Sequence, residues 1–258
     1  MSKLKNYSAA QQLFVLILTL ALSFGCSPKK FAVQKIEGKE LKITNELGDV
    51  AAIQSFIKPY RDHINADLSA VLANAPQTLD KSGKWQTTIG NLFADVCLQL
   101  GNPVFEQREN KQMDLVLLNH GGIRSIIPQG DVTARTAYQI MPFENSLVVI
   151  ELKAQQILDI VNYIIKEKKP HPISGIHFTI DKNNNPKDIL IQGKPLDMTK
   201  SYFVGTNDYL ANGGDNMVFF LKGIATYDLD YKLRNILIDY FKSVDVVPMI
   251  TDERITVE

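Results

Sequence analysis

Three short segments combine residue types able to grip a small, flat or anionic molecule. The first is Asn119-His120-Gly121-Gly122-Ile123-Arg124. Its paired glycines let a ligand approach backbone N–H groups closely. Its arginine offers a planar fork suited to phosphate or carboxylate. The same spacing also describes a tight turn carrying a surface arginine. The second is Met141-Pro142-Phe143, followed by the turn-forming Glu144-Asn145. That placement sets Phe143 at a rim, although plain core packing is the ordinary use of a phenylalanine. The third is Asn207-Asp208-Tyr209-Leu210-Ala211-Asn212-Gly213-Gly214-Asp215. It ends in a carboxylate held by a glycine loop, a means of gripping sugar hydroxyls, and it reads equally as an Asx-type turn.

The elements that must carry these segments follow from periodicity. Asp114–Asn119 is a short apolar run feeding the first glycine pair, and Tyr202–Thr206 is a strand feeding the third segment. Ser146–Leu152 reads as a further strand, Ile36–Glu46 as an opening strand and Arg254–Glu258 as a closing one. Ile176–Ile180 and Ile189–Ile191 flank Asn183-Asn184-Asn185-Pro186, a hairpin signal. Ile53, Phe56, Ile57, Tyr60, Ile64, Leu68 and Val71 recur at helical spacing, with Pro59 set to kink the run or open its second half. Thr88–Gly101 predicts a helix stopped by Gly101, with Cys97 on its apolar stripe. Lys153–Lys169 and Leu229–Phe241 predict two more helices. Strands and helices mix without strict alternation, so the expected class is α+β: a single domain of mixed sheets flanked by helices.

Composition narrows the function classes. The 258 residues balance 28 basic against 28 acidic side chains, with 45% hydrophobic residues, which suits a folded chain rather than a disordered one. Zero net charge provides no basic surface for nucleic acid, and none is expected as a partner. Lys3 and Lys5 precede the apolar run Leu13–Leu22, which has the size of a secretory signal core and is too short to span a membrane. The Gly25-Cys26 pair that follows resembles a bacterial lipoprotein signal. This resemblance implies cleavage before Cys26 and lipidation of its sulfur, whereas Ser23 and Phe24 depart from the usual pattern. An ordinary cleaved signal or an uncleaved anchor is the alternative. The expected organisation is a signal peptide over 1–25, a tether over 26–35 and one domain over 36–258, exported to the cell envelope and lipid-anchored facing periplasm or cell surface. Cys97 is the other cysteine of the chain, so with Cys26 lipidated it is expected to be an inert buried thiol.

Taken jointly, the segments resemble the carboxy-terminal domain of 5'-nucleotidases and bacterial UDP-sugar hydrolases. The family pattern N-x-GGIR, PF, S-G-I/L and ND-F/Y-L-A-x-GGD appears here in order as Asn119–Arg124, Pro142-Phe143, Ser174-Gly175-Ile176 and Asn207–Asp215. Gly90-Asn91-Leu92 resembles the family's G-N-L helix start. The resemblance implies a layered α/β/β/α fold and a nucleotide or nucleoside site. Phe143 and Tyr209 stand at the positions of two rings that sandwich the base, and such stacking contributes about 1–3 kcal/mol per base. It further implies that Asn119 contacts the base side, that Arg124 addresses phosphate or ribose, that Asp215 holds ribose hydroxyls, and that Gly121 and Gly122 turn amides toward the ligand. Two departures stand out. His120 replaces a small residue, and the arginine common before the G-N-L helix is replaced by Lys81 or Lys84, point charges rather than forks.

Family hydrolysis uses two metal ions held by a separate amino-terminal metallophosphatase domain. The four histidines, His63, His120, His171 and His177, form no Asp-x-His or His-x-His pattern, and the stretch before Gly90 is expected to be too short for that domain. No metal site or cofactor is expected in this chain. Three readings remain: a nucleotide-binding half that works with a separately encoded metallophosphatase, a non-catalytic nucleotide-binding envelope lipoprotein, and a hydrolase with an unrecognised site.

Overall fold

A computed structural model of the chain describes residues 8–23, 32–44 and 47–258. It divides into two units, Met1–Val50 and Ala51–Glu258. In the first unit the apolar run forms helix α1 (Ala9–Ser23). Cys26, its cleavage site and most of the expected tether lie outside the described residues. The strand expected over Ile36–Glu46 does not form: residues 32–44 are irregular and exposed, and 45–46 are outside the description. A strand needs a neighbour to pair its backbone, and among the described residues this segment has none.

The second unit runs α2 (Ala51–Ser69), β1 (Val71–Ala75), α3 (Thr88–Glu109), β2 (Leu115–Leu117), β3 (Gly130–Thr133), α4 (Ala134–Ile140), β4 (Ser146–Lys153), α5 (Ala154–Glu167), β5 (Ile173–Ser174) and β6 (Ile176–Ile180). It continues with β7 (Pro186–Ile191), β8 (Lys194–Pro195), β9 (Ser201–Asn207), α6 (Asp208–Ala211), β10 (Ala225–Lys232), α7 (Leu233–Ser243) and β11 (Ile255–Val257). Five strands form the central sheet in the order β10-β4-β9-β2-β5. Within this sheet β2 and β9 pair in parallel and the other neighbours are antiparallel. A second sheet, β11-β6-β7-β8, and the β1–β3 pair complete a mixed α+β architecture, as expected.

Period-two alternation makes the central sheet the partition between two cores. Leu147 and Val149 of β4 and Val116 of β2 face a core with Leu92, Phe93 and Phe105 of α3 and Leu237 and Phe241 of α7. Ile150, Leu152, Leu115 and Leu117 face the other, with Ile157, Ile160, Val161 and Ile164 of α5 and Phe178 of β6. The spacing of those α5 residues is the helical stripe read from the sequence, and all four are fully buried.

Four expectations need correction. Gly101 does not end α3, which continues to Glu109 through Gly101 and Pro103. The glycine is a packing device: a Cβ there would lie 2.3 Å from Leu147 Cδ2. Leu229 belongs to β10, not to the last helix, which starts at Leu233. Tyr227, Leu229 and Tyr231 carry a strand period that the helical count hid, with a bulge between Asp228 and Tyr231. Val71 opens β1 rather than closing α2. Finally, α2 spans Pro59 without breaking but buries no residue: Phe56, Tyr60 and Ile64 of its expected apolar face are more than half exposed.

Candidate functional site

Strands β2, β4 and β9 lie side by side, and the loops that follow β2 and β9 converge with the turn entering β4. All seven expected site residues, Asn119, Gly121, Gly122, Arg124, Phe143, Tyr209 and Asp215, line one cleft of about 650 Å³. Met141, Glu144, Asn145, Asn207 and Asp208 complete its wall.

Asp215 is the hub of this cleft. Asn119 Nδ2 donates to its Oδ2 at 2.7 Å, and Tyr209 Oη donates to its Oδ1 at 2.9 Å. The Asp215 carbonyl accepts from the Tyr163 hydroxyl at 2.7 Å. Burial, with help from the nearby Glu167 and Asp215 charges, pushes that hydroxyl up to about 12, so it stays a donor at ordinary pH. Asp215 is held at φ 50, and Gly213 before it at φ 83, a conformation that favours glycine. The Tyr209 ring presses on Gly214, where a Cβ would come within 2.5 Å of ring carbons.

Asn207 caps the short helix α6 through Oδ1, accepting from Leu210 N at 2.8 Å, and so fixes where Tyr209 begins. Asn145 Nδ2 donates to Asp208 Oδ1 at 2.6 Å and joins the β4 turn to the same helix. Phe143 and Tyr209 are 42% and 48% exposed, which removes the core-packing alternative for Phe143. Neither ring stacks on another aromatic side chain among the described residues. Both remain available to a ligand.

In the first loop, Asn119 is 8% exposed, and residues 120–122 form one 3₁₀ turn. Arg124 N donates to Ile140 O at 2.8 Å, tying this loop to the end of α4 and thus to the Phe143 turn. The Arg124 guanidinium is exposed; its Nη1 reaches the Gly121 carbonyl at 3.3 Å, and its centre lies 5.8 Å from the Phe143 ring.

Comparison with known proteins identifies the family of the domain that carries this cleft. The model of the "5'-nucleotidase, C-terminal domain" family matches residues 65–222. The chain belongs to this family. It is 25% identical over 191 residues to a 5'-nucleotidase of Vibrio vulnificus, covering 70% of this chain and 32% of that protein. To the protein UshA of Escherichia coli it is 23% identical over 197 residues, covering 72% and 34%. The crystal structure of a 5'-nucleotidase precursor from Thermus thermophilus superposes with a TM-score of 0.66 at 25% identity, covering 79% of this chain and 42% of that one. The chain thus spans about a third of the length of these curated relatives.

Within this 5'-nucleotidase C-terminal domain, the two candidate lysines part company. Lys81 Nζ donates to the Ile123 carbonyl at 2.6 Å, and burial together with the Arg124 charge lowers its pKa, so it stands beside the guanidinium. Lys84 instead lies 5.7 Å from the Trp85 ring centre. His120 is not part of the cleft wall. Its backbone N–H donates to His171 Nδ1 at 3.3 Å. Burial first, then the Lys81 charge, lowers the His120 pKa. His171 is 2% exposed, and burial lowers it to about 4. Ser174-Gly175 lines a separate cleft of about 280 Å³ with Asp95 and Arg254, where Ser174 Oγ donates to Asp95 at 2.6 Å. Cys97 is buried in the core, and burial pushes its thiol up, away from reactivity. Among the described residues, no three His, Cys, Asp or Glu side chains are grouped to hold a metal ion, and no helix is long and apolar enough to cross a membrane.

Sequence reasoning missed the residues that brace the site. Asn145 reads as a turn former and Asp208 only as a member of the third segment, yet the bond between them joins two cleft segments. Tyr163 lies on a helix whose apolar face alone stands out in the sequence. No local signal marks these three, because their partners are 52 or more positions away in the chain.

Proposed function

We propose that this chain is the nucleotide- or nucleoside-binding half of a 5'-nucleotidase-type phosphohydrolase, acting in nucleotide catabolism with a separately encoded metallophosphatase. The observation that carries this reading is the convergence of three distant segments on one cleft, with two half-exposed rings and a carboxylate hub. In this reading a flat base stacks on Phe143 and Tyr209, two half-exposed rings of one cleft, because every base offers a π-face. The Asp215 oxygens, each already accepting one bond, keep a lone pair for ribose hydroxyls. Arg124 then faces a phosphate, with Lys81 adding charge behind it. Of the two glycines expected to turn amides toward the ligand, Gly122 is buried and its amide donates to the Asn119 carbonyl at 3.0 Å, so Gly121 is the one whose backbone faces that approach.

The metal chemistry of hydrolysis belongs, in this reading, to the partner chain. Export and a lipid anchor on Cys26 place the domain at the envelope and hold it where such a partner acts. The test pairs two measurements on the purified chain. Calorimetry with AMP is expected to show binding. Phosphate release from AMP, screened across Mn²⁺, Zn²⁺ and Mg²⁺, is expected only after a metallophosphatase chain is added. Metal-dependent turnover by the chain alone that vanishes on Arg124→Ala overturns the split arrangement. Absence of AMP binding overturns the nucleotide reading.

A further inference from the structure

The turn that carries Phe143 is held by one short stretch at the start of α7. Arg234 is 6% exposed, yet its guanidinium reaches back to this turn: Nη1 donates to the Phe143 carbonyl at 3.2 Å, and Nη2 pairs with the Glu144 carboxylate. The Leu233 amide donates to the Asn145 carbonyl at 3.0 Å, and Lys232 Nζ donates to Ser146 Oγ at 2.9 Å. Three consecutive residues of one segment thus grip four consecutive residues of another. The guanidinium also lies over the Tyr138 ring, 4.3 Å from its centre, a cation–π contact that adds to its hold. The bond from Arg234 is the main cause holding the Glu144 carboxyl below its usual range, so the pair is charged on both sides. This stretch lies beyond residue 222, where the family match ends.

We infer that Arg234 is a positioning residue: it sets the height and angle of the Phe143 ring over the cleft, and nucleotide affinity depends on it through that ring. The inference rests on the nucleotide reading above for its effect on affinity, but its first link, control of the turn, stands without a ligand. A lysine reproduces the effect only in part, because an ammonium keeps the charge beside Glu144 but offers no planar fork to span a carbonyl and a carboxylate at once.

The test has a ligand-free arm and a ligand arm. Hydrogen exchange on Arg234→Gln is expected to rise at least tenfold in a peptide covering residues 141–147, with α5 unchanged. Calorimetry with AMP is expected to give about tenfold weaker binding for Arg234→Gln, a smaller loss for Arg234→Lys, and a smaller loss still for Glu144→Gln. Combining Arg234→Gln with Phe143→Ala is expected to add no loss beyond Phe143→Ala alone, a coupling that a merely stabilising residue would not show. Unchanged exchange at 141–147 overturns the positioning role. Additive losses in the double variant overturn it as well. If the parent chain binds no AMP while exchange at the turn rises, the nucleotide reading fails and the clamp survives.

Discussion

Gly121 and Gly122 are neighbours in one 3₁₀ turn, yet the structure treats them differently. A Cβ on Gly122 would sit 2.8 Å from Asn119 Oδ1 and 3.5 Å from its Cγ. A Cβ on Gly121 would meet only Asn119 Nδ2, at 3.7 Å, an ordinary contact. The Gly122→Ala methyl therefore has to displace the Asn119 amide. That side chain is 8% exposed and its Nδ2 holds Asp215 at 2.7 Å, so it has little room to yield. Loss of one hydrogen bond to a charged group costs about 1.5–3 kcal/mol. For a unit of this size that lowers the melting temperature by roughly 2–4 °C per kcal/mol. Gly121→Ala is expected to melt with the parent protein, within about 1 °C by the same scaling. Calorimetric melting of the two alanine variants in the absence of ligand makes the comparison. AMP binding is then expected to fall further in Gly122→Ala, because Asp215 loses the bond that aims its Oδ2. Equal melting of both variants, or a Gly122→Ala chain indistinguishable from the parent, would refute the packing argument.

Three further outcomes follow from the same geometry. Phe143→Ala is expected to weaken AMP binding by about 1–3 kcal/mol, the usual contribution of one stacked base, and unchanged affinity in calorimetry removes that ring from the site. Asp215→Asn is expected to discriminate less between AMP and its 2'-deoxy form, since an amide offers one acceptor oxygen where the carboxylate offered two; identical ratios would take Asp215 off the ribose. The third concerns pH. His171 is buried neutral, with its pKa lowered from 6.5 to about 4, so its contribution to stability is complete above pH 6.5 and is lost as pH falls toward 4. The full effect is about 3 kcal/mol at 1.36 kcal/mol per unit. Denaturant titrations between pH 7 and pH 4 are expected to show the parent losing that much more stability than His171→Gln, and parallel pH profiles count against it.

The segments that meet in the candidate cleft were legible in the sequence through their joint order, which resembles one family, although each alone reads as a turn or as core packing. Glycine pairs, an arginine, two rings and a terminal aspartate in one order leave a pattern that survives without knowledge of neighbours. The elements beneath were legible where burial was one-sided, as in α5, whose stripe is buried residue for residue. They were not legible where tertiary contact overrides local preference. Gly101 carries a helix-stop signal that the approach of Leu147 converts into a packing notch. Tyr227–Tyr231 follows a strand period that became decisive only because β4 lies alongside. Of the Ile36–Glu46 alternation, the described residues 36–44 had no such neighbour and stayed irregular.

That contrast also explains why the braces were invisible while the gripping residues were not. A residue that touches ligand must present a particular chemistry, so its type is constrained. A residue that holds another in place needs only to reach it, and arginine, tyrosine or asparagine can do so from any element the fold brings near. Asp215 shows how the two kinds depend on each other. Its carboxylate is aimed by Asn119 from the loop after β2 and by Tyr209 from α6, and its backbone is anchored by Tyr163 from α5. Tyr209 is at once a half-exposed ring on the cleft and a donor to that carboxylate, so a ligand that shifts the ring also strains the bond that aims Asp215. On the proposed nucleotide reading, recognition of base and of ribose is coupled through one hydroxyl. A Tyr209→Phe chain keeps the stacking face and loses the coupling, and its affinity loss should appear with AMP while vanishing in the Asp215→Asn background. Losses that simply add across the two variants would mean that ring and carboxylate act separately.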